Sequence, residues 1–129
     1  MSLKILVVED NDRNRRLLRI LLRSKGYEII EAATGEEAMN HLKNQKPDLI
    51  LMDVQLPKMD GLELTQKIKS DKETADIPII AVTAYAMKGD RERILKAGCD
   101  GYISKPIDTH KVPLLIADTL EKLGKTNTD

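Results

Sequence analysis

Short apolar runs alternate with longer amphipathic stretches five times along this chain, and this alternation constrains the fold more than any other feature of the sequence. The runs at 49–52 and 79–82 are apolar at every position, as a strand buried on both faces requires. Each amphipathic stretch is suited to be the helical crossover between two parallel strands. We therefore predict an α/β fold with a doubly wound, five-stranded parallel sheet and five helices. The runs lie at 3–8, 28–32, 49–52, 79–82 and 102–104.

Local signals mark where several of these elements begin and end. Thr34 and Glu37 have the spacing of a capping box, which opens a helix. Gly26 and Gly98 each follow an amphipathic stretch, where glycine commonly ends a helix. The run at 28–32 is short and flanked by polar residues, which is typical of an edge strand.

The composition excludes several functional classes. A chain of 129 residues and 14.5 kDa suffices for one domain, which we predict at 1–124, with a polar tail at 125–129 and no output domain. The 21 Lys and Arg residues balance 21 Asp and Glu residues, so the chain has no strong non-specific attraction to nucleic acid or to an anionic membrane. Aromatic residues make up 2% of the chain, too few for a base-stacking platform.

The single cysteine and the absence of targeting signals bear on location. Cys99 has no partner for an intramolecular disulfide, which favours a reducing compartment. No apolar run approaches the ~20 residues of a membrane span. We therefore expect a cytoplasmic protein, with Cys99 as a small, buried packing residue. His41 and His110 lack the spacing of metal ligands, and we expect both to be solvated.

Polar side chains end four of the five apolar runs. Glu9 and Asp10 follow the first run, Asp53 the third, Thr83 the fourth and Lys105 the fifth. The carboxyl ends of parallel strands share one edge of the sheet, so these side chains are expected to meet where the strand order reverses. Taken singly, each is explained as well by a helix cap or a solvated surface position. Their convergence at one edge favours a functional site.

Three carboxylates in one pocket require positive charge. Two carboxylates about 4 Å apart repel each other by about 4 kcal/mol at an effective dielectric constant of 20. Lys105 is able to neutralise one of them, and a divalent cation the others. An all-oxygen site without His or Cys favours Mg²⁺ or Mn²⁺. Beside a metal, a lysine and a hydroxyl, Asp53 is equipped to attack phosphorus and form an aspartyl phosphate.

Five motifs of the chain, taken in order and with their spacing, resemble the receiver domain of bacterial two-component response regulators. The resemblance extends from residue 3 to residue 123 and implies a flavodoxin-like sheet with strand order 2-1-3-4-5. The stretch 84–90 is especially similar to cell-division regulators and to the receivers of hybrid kinases, so a receiver excised from a hybrid kinase stays an alternative. The motifs are Val-Glu-Asp-Asn at 8–11, Asp-Leu-Ile-Leu-Met-Asp at 48–53, Leu-Pro-Lys-Met-Asp-Gly at 56–61, Ala-Val-Thr-Ala at 81–84 and Ser-Lys-Pro at 104–106.

The resemblance implies a phosphoacceptor and a set of metal ligands. By position in the motifs, Asp53 accepts a phosphoryl group from a phosphohistidine. Glu9, Asp10 and Asp53 hold Mg²⁺, with the backbone carbonyl of Gln55 as a further ligand. Members of the family catalyse their own phosphotransfer and their own slow hydrolysis. We therefore expect a signalling switch or a phosphorelay intermediate, and not a conventional enzyme.

The resemblance also implies a conformational switch. Thr83 donates its hydroxyl to the phosphoryl group, Lys105 pairs with that group, and the bond between Lys105 and Pro106 is cis. Tyr102 matches the aromatic residue that swings inward as Thr83 moves. The surface that changes, and that binds a downstream protein, is expected on the fourth helix, the fifth strand and the fifth helix.

The family implies protein partners for the first helix. In receivers this helix docks a sensor histidine kinase or a histidine phosphotransfer protein. Its arginines here fit an acidic donor, and they fit an ordinary solvated face equally well. We expect no nucleic-acid or membrane partner, and a monomer or a weak dimer. The arginines are Arg13, Arg15, Arg16, Arg19 and Arg23.

Pro113 departs from the family pattern at the start of the fifth helix. Proline is tolerated only in a first helical turn, so the fifth helix is predicted to begin near Lys111.

Two alternative functions lack residues that they need. A phosphatase of the haloacid-dehalogenase type needs an acidic residue where Gln55 stands. A flavin-binding module needs a phosphate cradle where residues 9–12 are mostly acidic. Both alternatives are weaker than a receiver.

Overall fold

Five strands and five helices alternate in the computed structural model, which describes residues 2–85 and 87–125. All strand pairs are parallel and the sheet has the order β2-β1-β3-β4-β5, which confirms the predicted fold and places the 28–32 strand at an edge. Residues 126–129 of the predicted tail lie outside the described residues. The elements are β1 (Lys4–Val8), α1 (Asp12–Arg23), β2 (Glu28–Ala32), α2 (Gly35–Asn44), β3 (Leu49–Asp53), α3 (Gly61–Ser70), β4 (Ile79–Thr83), α4 (Lys88–Lys96), β5 (Gly101–Ser104) and α5 (Lys111–Lys122).

Two apolar layers sandwich the sheet. Ile50 packs into the layer that holds α2, α3 and α4, whereas the next residue, Leu51, packs into the layer that holds α1 and α5. Ile79 and Ile80 divide between the two layers in the same way. Because successive side chains of a strand point to opposite faces, a strand covered on both sides must be apolar at every position. This explains the uninterrupted apolar runs of β3 and β4.

Side-chain caps fix the starts of α1 and α2, near the carboxyl edge of the sheet. Asn11 Oδ1 accepts a hydrogen bond from Asn14 N at 3.0 Å, which caps α1. Thr34 Oγ1 accepts from Glu37 N at 3.1 Å, as the capping box predicts. The fifth helix begins at Lys111, as predicted, with Pro113 in its first turn. Among the described residues, no helix is long and apolar enough to cross a membrane.

The two histidines and the cysteine take different environments. His110 is exposed, as predicted. The prediction for His41 is wrong: its ring is partly buried, and Nε2 donates to the carbonyl oxygen of Glu31 at 2.9 Å. The helix α2 packs beside the edge strand β2, and the ring supplies a partner for a strand carbonyl. Cys99 is buried as predicted, and burial raises the pKa of its thiol to about 11.

A close backbone approach shapes the loop between β3 and α3. Gly61 N donates to the carbonyl oxygen of Val54 at 3.0 Å. A Cβ atom at Gly61 would lie 2.1 Å from the carbonyl oxygen of Asp53. The loop therefore closes against the end of β3 only because residue 61 has no side chain.

We expect Gly61→Ala to lower the free energy of unfolding by about 3 kcal/mol or more, because backbone atoms must move to relieve the overlap. Gly89→Ala is the matched control. A Cβ at Gly89, in the first turn of α4, meets no atom within 4 Å. This control should raise stability by about 0.5 kcal/mol through helix propensity. Urea unfolding followed by circular dichroism measures both, and equal effects would contradict the packing given to Gly61.

Candidate functional site

The carboxyl ends of β1 and β3 carry an acidic group at the point where the strand order reverses. Glu9 follows β1 and Asp53 ends β3, and both residues are buried, whereas Asp10 is exposed. Each of the three offers one carboxylate oxygen, and these oxygens lie within 4.8 Å of one another. The structure therefore brings together the acidic residues that the sequence predicts at one edge.

Lys105 reaches this acidic group from the far side of the sheet. Its Nζ lies 3.1 Å from Asp53 Oδ2 and 3.2 Å from Glu9 Oε1, and its backbone N donates to the carbonyl oxygen of Thr83 at 2.7 Å. Burial lowers the pKa of Lys105, but the negative charges of Asp53 and Glu9 outweigh that effect and raise it. The Lys105 ammonium is therefore charged. The peptide bond between Lys105 and Pro106 is cis.

Asp53 has two oxygens with different partners. Oδ1 accepts a hydrogen bond from Gln55 N at 3.0 Å, and Oδ2 faces the Lys105 ammonium. Burial is the largest cause that raises the pKa of Asp53 to about 6, with a further contribution from neighbouring Glu9. The hydrogen bond from Gln55 and the charge of Lys105 act in the opposite direction. Ionising Asp53 therefore costs free energy that a nearby cation would recover.

The donor set fits a divalent cation. Both carboxylate oxygens of Glu9 are buried and accept no hydrogen bond from the described residues, although Oε1 is near Lys105. Buried carboxylate oxygens without hydrogen-bond partners are costly unless a cation is present. Three carboxylates and no imidazole or thiolate form the ligand set that Mg²⁺ prefers. The carbonyl of Gln55 stays a predicted ligand, beside the N–H that contacts Asp53.

Thr83 ends β4, but its hydroxyl has other partners. Oγ1 accepts a hydrogen bond from Tyr85 N at 2.9 Å and donates to the carbonyl oxygen of Tyr85 at 3.0 Å. Tyr102 lies opposite Ala81 in the β4–β5 pairing and is half-buried against the apolar layer of α2, α3 and α4. The guanidinium carbon of Arg91 lies 5.4 Å from the centre of the Tyr102 ring. Of the two predicted switch residues, Thr83 thus contacts the backbone of Tyr85, and Tyr102 contacts the side chain of Arg91.

The arginines of α1 divide into two groups that sequence reasoning did not separate. Arg15 and Arg19 both form ion pairs with Glu31 on β2, and Arg15 also contacts the loop after β1. The other members of the run, Arg13, Arg16 and Arg23, are exposed. The sequence signal for the division is the position of Glu31, a charged residue that follows the two isoleucines of β2.

Comparison with known proteins gives a consistent result. A family model described as the response regulator receiver domain matches residues 5–117. The polar-differentiation response regulator DivK of Brucella ovis is 49% identical over 124 residues, which cover 96% of this chain and 98% of the relative. These likenesses agree with the resemblance inferred from the five motifs.

Two solved structures extend the comparison. The receiver domain of a sensor histidine kinase from Pseudomonas aeruginosa, solved with a magnesium ion in its active-site cleft, has 37% identity and a TM-score of 0.83, covering 92% of this chain and 97% of that one. A chemotaxis response regulator of Vibrio cholerae has 25% identity and a TM-score of 0.88. The match covers 93% of this chain and 100% of that one.

We expect Asp53→Asn to stabilise the metal-free protein near pH 8. The carboxyl titrates near pH 4 in the unfolded chain and at about 6 in the folded one, so folded-state stability falls as the pH rises between these values. Removing the titration should raise the free energy of unfolding by about 2 kcal/mol near pH 8 and by much less near pH 4.

Asp76→Asn is the matched control for that experiment. Asp76 is exposed, and its hydrogen bond with Lys46 lowers its pKa. Replacing Asp76 should therefore not stabilise the protein. Thermal unfolding in EDTA at several pH values measures both variants. A gain for Asp53→Asn that does not change with pH would contradict the raised pKa.

Proposed function

Because the chain belongs to the response regulator receiver family, we propose that Asp53 accepts a phosphoryl group from a phosphohistidine in a Mg²⁺-dependent reaction. The observation that carries this proposal is the Lys105 ammonium held between Asp53 and Glu9 at 3.1 and 3.2 Å. A carboxylate kept beside an ammonium and two further acids has the surroundings that phosphoryl transfer requires. As a receiver, the protein acts in signalling and is not a conventional enzyme.

In the proposed transfer, a carboxylate oxygen of Asp53 attacks phosphorus while the bond from phosphorus to the histidine nitrogen breaks. The imidazole leaves with the electron pair of that bond and takes up a proton. Glu9, Asp10, Asp53 and the Gln55 carbonyl would hold Mg²⁺, which supplies charge stabilisation for the phosphoryl oxygens. Lys105 stabilises the same oxygens from the β5 side. A magnesium ion in the cleft of the Pseudomonas relative supports this assignment.

The proposed signal begins at Thr83. To donate to a phosphoryl oxygen, its hydroxyl must leave the carbonyl oxygen of Tyr85, which it contacts at 3.0 Å. That exchange releases the loop that leads to α4, and Tyr102 then moves inward. The surface on α4, β5 and α5 would change its shape and bind a downstream protein.

The proposed docking site for the phosphodonor is the exposed face of α1. Arg13 and Arg16 are exposed there beside Ile20, whose exposed fraction is 56%. Basic and apolar groups together fit a donor helix with apolar and acidic residues. The donor would be a sensor histidine kinase or a histidine phosphotransfer protein.

We further propose that the protein is cytoplasmic and is a monomer or a weak dimer. The proposed receiver domain spans residues 1–124, and a polar tail spans residues 125–129.

We expect incubation with acetyl phosphate and Mg²⁺ to add one phosphoryl group, measured by intact mass. The adduct should be labile to hydroxylamine, as an acyl phosphate is, and absent without Mg²⁺. Asp53→Asn should abolish it, whereas Asp48→Asn is a control at the opposite end of β3. An adduct that persists in Asp53→Asn would contradict the assignment of the phosphoacceptor.

Tyr102→Ala should separate phosphoryl binding from the change at the signalling surface. Beryllofluoride mimics a phosphoryl group on a carboxylate and needs no partner protein. With the parent protein, we expect amide NMR shifts at the site and across α4, β5 and α5. In Tyr102→Ala the shifts should persist at the site and shrink by about half or more on that surface. Tyr27→Ala is a control distant from the proposed switch, and surface shifts unchanged by Tyr102→Ala would contradict the proposed role.

A further inference from the structure

Arg15 contacts the loop that carries two of the acidic site residues. Its Nη1 donates to the carbonyl oxygen of Glu9 at 2.9 Å. Its Nη2 lies 2.6 Å from Asp12 Oδ1, and its Nε lies 3.4 Å from Glu31 Oε1. The side chain is 20% exposed, so it is mostly removed from solvent. One guanidinium therefore joins α1, the loop after β1, and the edge strand β2.

By holding the Glu9 carbonyl, Arg15 is able to orient both the Glu9 and the Asp10 side chains. A peptide bond is planar, so the direction of this carbonyl fixes the plane that joins the Cα atoms of Glu9 and Asp10. The preceding peptide is also held, because Glu9 N donates to the carbonyl oxygen of Ala32 at 2.9 Å. With both peptide groups fixed, the Glu9 backbone has little freedom to turn its carboxylate away from Asp53.

We propose that Arg15 is a positioning residue for the divalent cation, an inference that rests on the function proposed above. By holding the Glu9 carbonyl, it presents Glu9 and Asp10 together to the cation. The guanidinium itself makes no contact with the proposed ligand oxygens; it acts through the backbone. Such support around metal ligands commonly determines how tightly the metal binds.

Charge and positioning predict effects of opposite sign when Arg15 is removed. A cation near the site repels Mg²⁺, so loss of the charge alone would tighten metal binding. Loss of positioning would weaken it, because the ligands must then be ordered at the moment of binding. Asp12 and Glu31 already offset the charge of the guanidinium. The positioning effect should therefore prevail.

Arg19 provides a matched control. It lies one helical turn after Arg15, and its Nη1 is 3.0 Å from both carboxylate oxygens of Glu31. Both arginines thus bind the same acid on β2, but Arg15 is the one that donates to the Glu9 carbonyl. A variant at Arg19 removes a similar charge and a similar ion pair without removing that contact.

The test is calorimetric titration of Mg²⁺ into the parent protein, Arg15→Met, Arg15→Lys and Arg19→Met, with thermal unfolding of each metal-free protein. We expect Arg15→Met to weaken Mg²⁺ binding about tenfold. Arg15→Lys should weaken it about threefold, since one ammonium replaces a fork of donors. Arg19→Met should change it by less than about twofold. In acetyl phosphate reactions, Arg15→Met should raise the Mg²⁺ concentration needed for half the maximal rate and leave the rate at saturating Mg²⁺ unchanged.

Several outcomes would overturn the inference. Equal or tighter Mg²⁺ binding in Arg15→Met would leave only a charge effect. Equal weakening in Arg19→Met would indicate a general effect of the ion pairs with Glu31. If Arg15→Met does not fold, a folded Arg15→Lys with the affinity of the parent protein would overturn it. A parent protein that binds no Mg²⁺ would instead overturn the proposed function, so the two failures are distinguishable.

Discussion

Two carboxylates lie buried side by side at the edge of the sheet with one ammonium between them, and the rest of the site depends on this excess of negative charge. Burial of an ion costs several kcal/mol even after the protein relaxes, and a single partner does not offset two such costs. The raised pKa of Asp53, at about 6, and the oxygens of Glu9 without hydrogen bonds are two expressions of the same imbalance. An apolar edge would make a more stable protein. A divalent cation, as proposed for this site, would correct the imbalance, so the free energy of cation binding would include the relief of this repulsion.

The order of the strands determines which residue is able to supply the ammonium. Strands in a sheet are about 4.8 Å apart, so β5 lies about 10 Å from β3 across β4. A residue at the end of β5 must have a long side chain to contact the end of β3. Lys105 has that length, and the hydrogen bond from its backbone N to the carbonyl oxygen of Thr83 fixes the position from which its side chain extends. β3 and β4 are buried at all five of their positions, which makes the base of the site rigid.

The fold and the acidic group were predictable from the sequence because both depend on positions along strands. Consecutive apolar residues indicate a strand covered on both faces, and the residue after such a strand must lie at the carboxyl edge. The partners of side chains were not predictable in this way. The contact of His41 with the Glu31 carbonyl requires α2 to pack beside the edge strand, and the contacts of Arg15 with Glu9 and Glu31 join α1 to a loop and to a strand. Alternation within one element indicates which face is buried, and it does not indicate which neighbouring element supplies a partner.

The hydroxyl of Thr83 illustrates how such a contact sets the sensitivity of a switch. In the structure it both accepts from and donates to the backbone of Tyr85, so its single O–H donor is already used. On the proposed mechanism, turning toward a phosphoryl group exchanges one hydrogen bond for another, and the difference between them is what drives the change. A hydrogen bond to a charged oxygen exceeds a neutral one by about 1 kcal/mol, enough to shift a two-state population several-fold. The N-cap residue of α4, Met87, makes no side-chain cap hydrogen bond. On that mechanism, a small difference in hydrogen-bond strength would be sufficient to pass the state of Asp53 to the surface of the protein.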